Sequence, residues 1–214
     1  MTLIDTTILY VKQQLENAEG GHDWFHIERV YKNALLIAQE ESCDLQVVKL
    51  GALLHDIADS KFHGGDERIG PQKARAFLES QELDPSIIEH VLQIIENISF
   101  KGGNFEKSFH SKELEIVQDA DRLDAIGAIG IARTFNYGGF KNRPIYNPAI
   151  QPNLHMSKEE YKNSEAPTLN HFYEKLLLLK DRMNTPTGKK IALERHHFME
   201  HFLSQFYAEW DGDL

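Results

Sequence analysis

The sequence predicts an all-α fold, and three observations lead to this prediction. Apolar residues recur at intervals of three and four through most of the 214 residues, which is the period of an α-helix. Residues that typically cap or begin helices precede several of these segments. Segments with the alternating pattern of β-strands are hard to place. We therefore expect a single-domain helical bundle with a long loop near residues 138–164.

The first half of the chain divides into five predicted helices. Residues 4–15 carry apolar side chains on one face, and a second helix begins near Asp23. Asp44 is a candidate N-cap for a third helix that is apolar almost throughout. Pro71 follows Gly70, and Pro85 follows the candidate N-cap Asp84. Both prolines lie where the first turn of a helix tolerates proline, so two more helices are predicted to begin there. These end near residues 80 and 98.

The second half begins with Ser111, a candidate cap for a helix or kinked pair of helices that runs to about Arg133. Residues 138–164 are rich in glycine, proline and asparagine and show no convincing period, which predicts a long loop. Two helices close the chain, one over about 168–182 and one begun by Thr185-Pro186.

We expect one domain over residues 1–214, because the roughly 50 residues beyond the loop are too few for a separate domain. Its core is expected over about 22–135, with C-terminal helices over about 165–210 packed on it. Cys43 is the single cysteine, so no internal disulfide can form, and the N-terminal residues lack the pattern of a signal peptide. A cytoplasmic protein is therefore expected.

Charge and hydropathy exclude several classes of partner. No apolar run approaches the roughly 18 residues that a membrane span requires. The chain has 23 basic and 33 acidic residues and a net charge of -10, which disfavours a nucleic-acid polymer as partner. A small anionic substrate remains possible if a metal or a few basic groups neutralise it. We expect a monomer or a homodimer.

The pair His55-Asp56 is the first candidate for chemistry. It ends a segment, LGALLHDIAD, that is otherwise almost wholly apolar, where an uncompensated carboxylate carries a large desolvation cost. A metal ion is one compensation, because imidazole nitrogen and carboxylate oxygen can converge on a cation. The alternative is a hydrogen-bonded pair at the C-terminus of a helix. Periodicity alone favours neither.

A second apolar segment, IVQDADRLDAIGAIGIA, contains Asp121 and favours the metal alternative. Asp121 and Asp124 are three residues apart and share a helix face. Asp119 lies on another side, where we expect it to face solvent. Several acids in this segment therefore need not all be functional.

The predicted second helix adds a histidine and an arginine. His22 and His26 are four residues apart and stack on one face, with Arg29 one turn further along that face. This arrangement would place an imidazole near a metal and a guanidinium within reach of a substrate phosphate. Asp23 is expected to cap the helix, because a carboxylate there accepts backbone N–H bonds and complements the helix dipole.

The ordered residues His26, His55-Asp56 and Asp121 resemble the H…HD…D signature of the HD-domain metal-dependent phosphohydrolases. The segments RTFNYGG, TLNHFYEKLLLLKDRMNT and FMEHFLSQFYAEW are similar to the bacterial YedJ/YpgQ-like branch of that superfamily, so the resemblance covers nearly the whole chain. It implies an HD-type helical fold and hydrolysis of a phosphate ester or anhydride. It also implies that one divalent cation is bound by His26, His55, Asp56 and Asp121.

The implied ligand set leaves room on a six-coordinate ion for water and a substrate oxygen. Mixed nitrogen and oxygen ligation suits Mn²⁺, Fe²⁺, Co²⁺, Ni²⁺ or Mg²⁺, and manganese is the first expectation. The cation would activate a water molecule and neutralise phosphoryl charge. Asp56 and Asp59 are the expected catalytic residues, since Asp59 lies where it could accept a proton or orient a ligand. The alternative for Asp59, a solvated acid at a helix end, is equally favoured.

Substrate contacts are expected from Arg29, Lys61 and His22, which are close in sequence to the predicted ligands. His90 is expected to be a satisfied core or boundary residue. The histidines of the last helix are expected on the surface: His196, His197 and His201.

The resemblance favours cleavage of a (deoxy)nucleoside triphosphate to monophosphate and pyrophosphate by a metal-activated water. A nucleotidase is one alternative. A second-messenger hydrolase of the alarmone type is another, although its HDxxED motif is only half present in HDIADS. A third alternative belongs to another class: a non-catalytic, metal-stabilised, nucleotide-binding regulatory module, which ligand spacing does not exclude.

Overall fold

The computed structural model describes residues 1–16, 23–58, 66, 68–98, 109–156, 160 and 164–213. Over these residues the chain is all-α, as predicted, and contains no β-strand. A 3₁₀ helix, Leu176–Arg182, lies between the last two α-helices. The α-helices are α1 (Leu3–Gln14), α2 (Trp24–Ala38), α3 (Leu45–Leu54), α4 (Ile69–Ser80), α5 (Pro85–Asn97), α6 (Lys112–Asp124), α7 (Gly127–Phe140), α8 (Asn170–Glu174) and α9 (Pro186–Asp211).

Side-chain caps begin five helices where the sequence predicts them. In each case a side-chain oxygen accepts a hydrogen bond from a backbone N–H of the first turn, which otherwise lacks an intrahelical partner. Proline follows two of these caps directly, at a position where its missing N–H costs nothing. The capping residues are Asp23, Asp44, Asp84, Ser111 and Thr185.

The chain divides into two compact units, Met1–Asp121 and Arg122–Leu214, and the division falls within α6. In the first unit α3 packs against α1, α2 and α5, while α4 packs against α5. Gly51 of α3 lies so close to α5 that a Cβ atom there would be 3.2 Å from Cδ1 of Ile94. This close packing buries α3 almost entirely and holds the residues at its C-terminus inside the unit. The single-domain assignment stays a prediction.

In the second unit α9 packs against α7 and the 3₁₀ helix. An aromatic cluster joins α8 and α9, in which the rings of Phe172 and Phe202 stack with centroids 5.8 Å apart. Phe135 of α7 contacts both rings. The second unit therefore has an apolar core of its own.

The loop predicted near 138–164 begins after Phe140, because α7 continues through Gly138 and Gly139, which the prediction placed in the loop. Gly138 is helical and buried, and a Cβ atom there would be 2.1 Å from Oγ1 of Thr168. Close packing, rather than a turn, thus requires glycine at this position. The described part of the loop is bonded to the segment before α8, since the N–H of Thr168 donates to the carbonyl of Pro144 over 2.8 Å.

The predicted kinked pair is two separate helices, α6 and α7, joined at Ala125 and Ile126. Gly127 begins α7 with a φ of 75°, a left-handed conformation that favours glycine. Within the described residues, no helix has the length and apolar character needed to cross a membrane.

Candidate functional site

Three potential metal ligands meet in the first unit. His26 lies on α2, His55 follows the last residue of α3, and Asp56 is the next residue along the chain. One ligand atom from each lies within 4.8 Å of those of the other two. Only 3% of His26 and 8% of His55 is exposed to solvent. The structure therefore brings together three of the four predicted ligands in a largely buried position.

The ring of His55 is oriented by a hydrogen bond to the backbone. Its Nδ1 lies 2.9 Å from the carbonyl oxygen of Ala52, and only a protonated ring nitrogen can donate to a carbonyl. Nδ1 therefore carries the hydrogen, and Nε2 presents its lone pair. Histidines that bind metals are commonly held in this way, with the second ring nitrogen donating to a carbonyl or carboxylate.

The Nε2 atom of His55 is buried and, among the described residues, has no hydrogen-bond partner. An unsatisfied buried polar atom costs about 1 to 3 kcal/mol, which a bound cation would offset. Burial lowers the pKa of His55, against the opposing effect of the Asp121 carboxylate. The imidazole is thus held neutral, which is the form that binds a metal.

Asp121, on α6, approaches both imidazoles. Its Oδ1 lies 3.5 Å from Nε2 of His26 and 3.9 Å from Nε2 of His55. On a six-coordinate ion with ligands at about 2.1 Å, adjacent donor atoms are about 3.0 Å apart and opposite donors about 4.2 Å apart. Both distances therefore fit shared ligation. Asp121 lies outside the set whose ligand atoms are all within 4.8 Å of each other.

The remaining predicted site residues are only partly covered by the structure. Arg29 is half-buried on α2, three residues after His26. His22, Asp59 and Lys61 lie outside the described residues, so their roles stay predictions.

The expectation that Asp119 faces solvent is wrong. Asp119 is fully buried, and so is every residue of α6 from Ile116 to Ala120. Five consecutive buried residues leave this segment of the helix without a solvent-exposed face on which to place an acid. Asp124 is also buried, and its carboxylate pairs with the guanidinium of Arg133.

The surface prediction for the histidines of α9 is right for two of the three. His197 and His201 are exposed, but His196 is buried on the stripe that also contains Ala192, Met199 and Leu203. Spacings of four, three and four between these residues identify that stripe, which the sequence prediction overlooked. His90 is a satisfied boundary residue as expected, with Nε2 2.9 Å from Oγ of Ser111.

Sequence reasoning missed Asn33, which lies two turns after His26 on α2. Its Nδ2 donates to the carbonyl oxygen of Ala120, 3.3 Å away and directly before Asp121 in the chain. The available signal was a polar residue beside a buried apolar stripe of α2, formed by Val30, Ala34 and Ile37.

Comparisons with known proteins identify the family to which this chain belongs. The HD domain family model matches residues 24–126. The uncharacterized protein YpgQ of Bacillus subtilis is 36% identical over 204 residues, covering 95% of this chain and 91% of YpgQ. A crystal structure of an HD-superfamily hydrolase from Bacillus thuringiensis is 44% identical, with a TM-score of 0.78, and covers 97% of this chain and 96% of that one. The crystal structure of Bacillus subtilis YpgQ in complex with ADP is 33% identical in its matched region, with a TM-score of 0.76, over 96% and 94% of the two chains.

Proposed function

We propose that this chain, which belongs to the HD superfamily of hydrolases and to its YpgQ-like branch, is a divalent-metal-dependent phosphohydrolase of nucleotides. One observation carries the proposal: the buried lone pair of His55 faces the same small space as His26, Asp56 and the Asp121 carboxylate. Such a set of neutral imidazoles and carboxylates suits a hard or borderline divalent cation.

In the proposed centre the cation is held by His26, His55, Asp56 and Asp121. Manganese is the first candidate among Mn²⁺, Mg²⁺, Fe²⁺, Co²⁺ and Ni²⁺. When bound, such a cation lowers the pKa of water and neutralises charge on a phosphoryl group. The Ala52 carbonyl keeps the proton of His55 on Nδ1, so that Nε2 stays available. Asp59 is proposed to take up the proton of the attacking water or to orient a ligand, and Asp56 to act in catalysis through the cation that it would hold.

The proposed substrate is a (deoxy)nucleoside triphosphate, cleaved between the α- and β-phosphates to a monophosphate and pyrophosphate. The complex of YpgQ with ADP supports a nucleotide, because YpgQ aligns with nearly the whole of this chain. Arg29 lies one turn from His26 and is proposed to contact phosphate oxygens, together with Lys61 and His22. We further propose a cytoplasmic protein, monomeric or homodimeric, with no nucleic-acid polymer as partner.

A panel of nucleotides tests this function. Purified protein is incubated with Mn²⁺ and with ribo- and deoxyribonucleoside mono-, di- and triphosphates, and orthophosphate is measured with and without added pyrophosphatase. Orthophosphate that appears only with pyrophosphatase supports cleavage between the α- and β-phosphates. Orthophosphate released directly from monophosphates identifies a nucleotidase instead. Binding of Mn²⁺ and nucleotide without turnover identifies a regulatory module and refutes the enzymatic proposal.

A further inference from the structure

We propose that Asn33 is a positioning residue of the metal centre: its side-chain amide holds the last turn of α6 against α2, so that Asp121 faces His26. This inference rests on the proposed metal site and adds to it a residue outside the ligand set. Asn33 contacts α6 through a hydrogen bond of 3.3 Å, which its Nδ2 donates to the carbonyl oxygen of Ala120, 87 residues away in sequence.

The place of this contact on α6 explains why a tether is needed. α6 ends at Asp124, so Asp121 lies in its last turn. Helix ends open more readily than helix centres, so a contact from another helix adds stability to this turn. A carbonyl oxygen has two lone pairs, so that of Ala120 can accept from Asn33 without giving up a bond within the helix. The amide therefore stabilises the turn that carries Asp121.

A second contact joins the same two helices, between Nε2 of His26 and Oδ1 of Asp121 at 3.5 Å. His26 and Asn33 are seven residues apart on α2, which is about 10 Å along the helix. Their partners, Ala120 and Asp121, are adjacent on α6. Two separate points of α2 thus contact one turn of α6, and the loss of the Asn33 hydrogen bond leaves the position of Asp121 less tightly fixed.

Metal coordination makes this loss of positioning measurable. Metal–ligand distances are held within about 0.2 Å, so a displacement of Asp121 on the order of 1 Å removes it as a ligand. Loss of residues that orient metal ligands typically weakens metal binding about 10- to 100-fold. We expect a loss of that size when Asn33 can no longer donate to Ala120.

The test is the Mn²⁺ dissociation constant of Asn33→Leu, which keeps the number and branching of the side-chain heavy atoms and removes the donor. It is measured by electron paramagnetic resonance of free Mn²⁺, so it does not depend on activity. Asn33→Asp is the second variant, because it keeps the shape of the side chain and replaces the donor with an acceptor. We expect both variants to bind Mn²⁺ about 10- to 100-fold more weakly, with any turnover restored by excess Mn²⁺.

The matched control is Asn170→Leu in the second unit. Asn170 is a buried asparagine whose amide, like that of Asn33, donates to a backbone carbonyl, here that of Ile150 at 3.1 Å. We expect a similar loss of thermal stability in this variant and an unchanged Mn²⁺ dissociation constant. If both Asn33 variants bind Mn²⁺ within twofold of the wild type, or if Asn170→Leu weakens binding equally, Asn33 has no positioning role. A wild-type protein that binds no Mn²⁺ refutes the metal centre and, with it, this inference.

Discussion

The effect of Mn²⁺ on thermal stability is the most quantitative consequence of the proposed centre. A cation that binds only the folded chain stabilises it by about 2.7 kcal/mol at one hundred times its dissociation constant. For a chain of this size each kcal/mol raises the melting temperature by about 2 to 4 °C. We therefore expect Mn²⁺ at that concentration to raise the melting temperature of the wild type by about 5 to 10 °C.

The substitution Asp121→Ala should abolish this rise with little effect on the metal-free protein. The Asp121 side chain is 40% exposed, and its carboxylate lies 3.5 Å from His26. A pair this accessible contributes at most about 1 kcal/mol without metal, because solvent screens it. The metal-free melting temperature should therefore change by no more than about 4 °C. The difference in melting temperature between Asp121→Ala and the wild type should therefore appear almost entirely in the measurements with Mn²⁺.

The assay is differential scanning calorimetry in a chelator and again in Mn²⁺. Asp181→Ala is the control, because that carboxylate is 73% exposed on the 3₁₀ helix of the second unit. We expect this control to keep the full rise. A full Mn²⁺-dependent rise in Asp121→Ala would refute the assignment of Asp121 as a ligand.

Three further predictions concern stability. Burial, and then two neighbouring cations, lower the pKa of His171 to about 3. The unfolded chain therefore takes up a proton below pH 6.5 that the folded chain does not, so stability falls as the pH drops from 6.5 towards 3. In urea titrations, His171→Gln should reduce the loss of unfolding free energy between about pH 6.5 and 5 by about 1 to 2 kcal/mol. An unchanged loss of unfolding free energy would contradict the lowered pKa of His171. Leu53 is fully buried, so Leu53→Ala should cost about 2 to 5 kcal/mol by urea unfolding, and a cost below about 1 kcal/mol would contradict the packing of α3. Arg133→Ala removes a partner of the buried Asp124 carboxylate and should cost about 3 kcal/mol by the same method, whereas a neutral effect would contradict the buried pair.

Much of the fold was predictable because helix starts are set locally. The caps at Asp23, Asp44 and Asp84 each depend on one side chain and the backbone within the next turn, and all three were predicted. Gly138 was misread as part of a loop because its role depends on Thr168, which is distant in sequence. Asp119 was misread because its burial depends on tertiary packing, which the pattern of residues along α6 does not specify.

In the candidate site, too, some features could be predicted from the sequence and others depend on contacts between distant residues. His26 and the pair His55-Asp56 were predicted from their context and from the resemblance to the HD signature, and they lie together. Asn33 was not predicted, since a polar residue beside the buried stripe of α2 does not reveal that its partner is a backbone carbonyl 87 residues away. The orientation of His55 by Ala52 also depends on a hydrogen bond that residue types alone do not specify.

The most direct test of the account compares pyrophosphate release from a deoxynucleoside triphosphate by the wild type, Asp121→Ala and the control Asp181→Ala, each with saturating Mn²⁺ and with a chelator. We expect Mn²⁺-dependent release by the wild type and the control, and a rate more than about a hundredfold lower in Asp121→Ala. An equal rate in Asp121→Ala, or a wild type that binds Mn²⁺ and hydrolyses no nucleotide, would contradict the proposed metal-dependent phosphohydrolase.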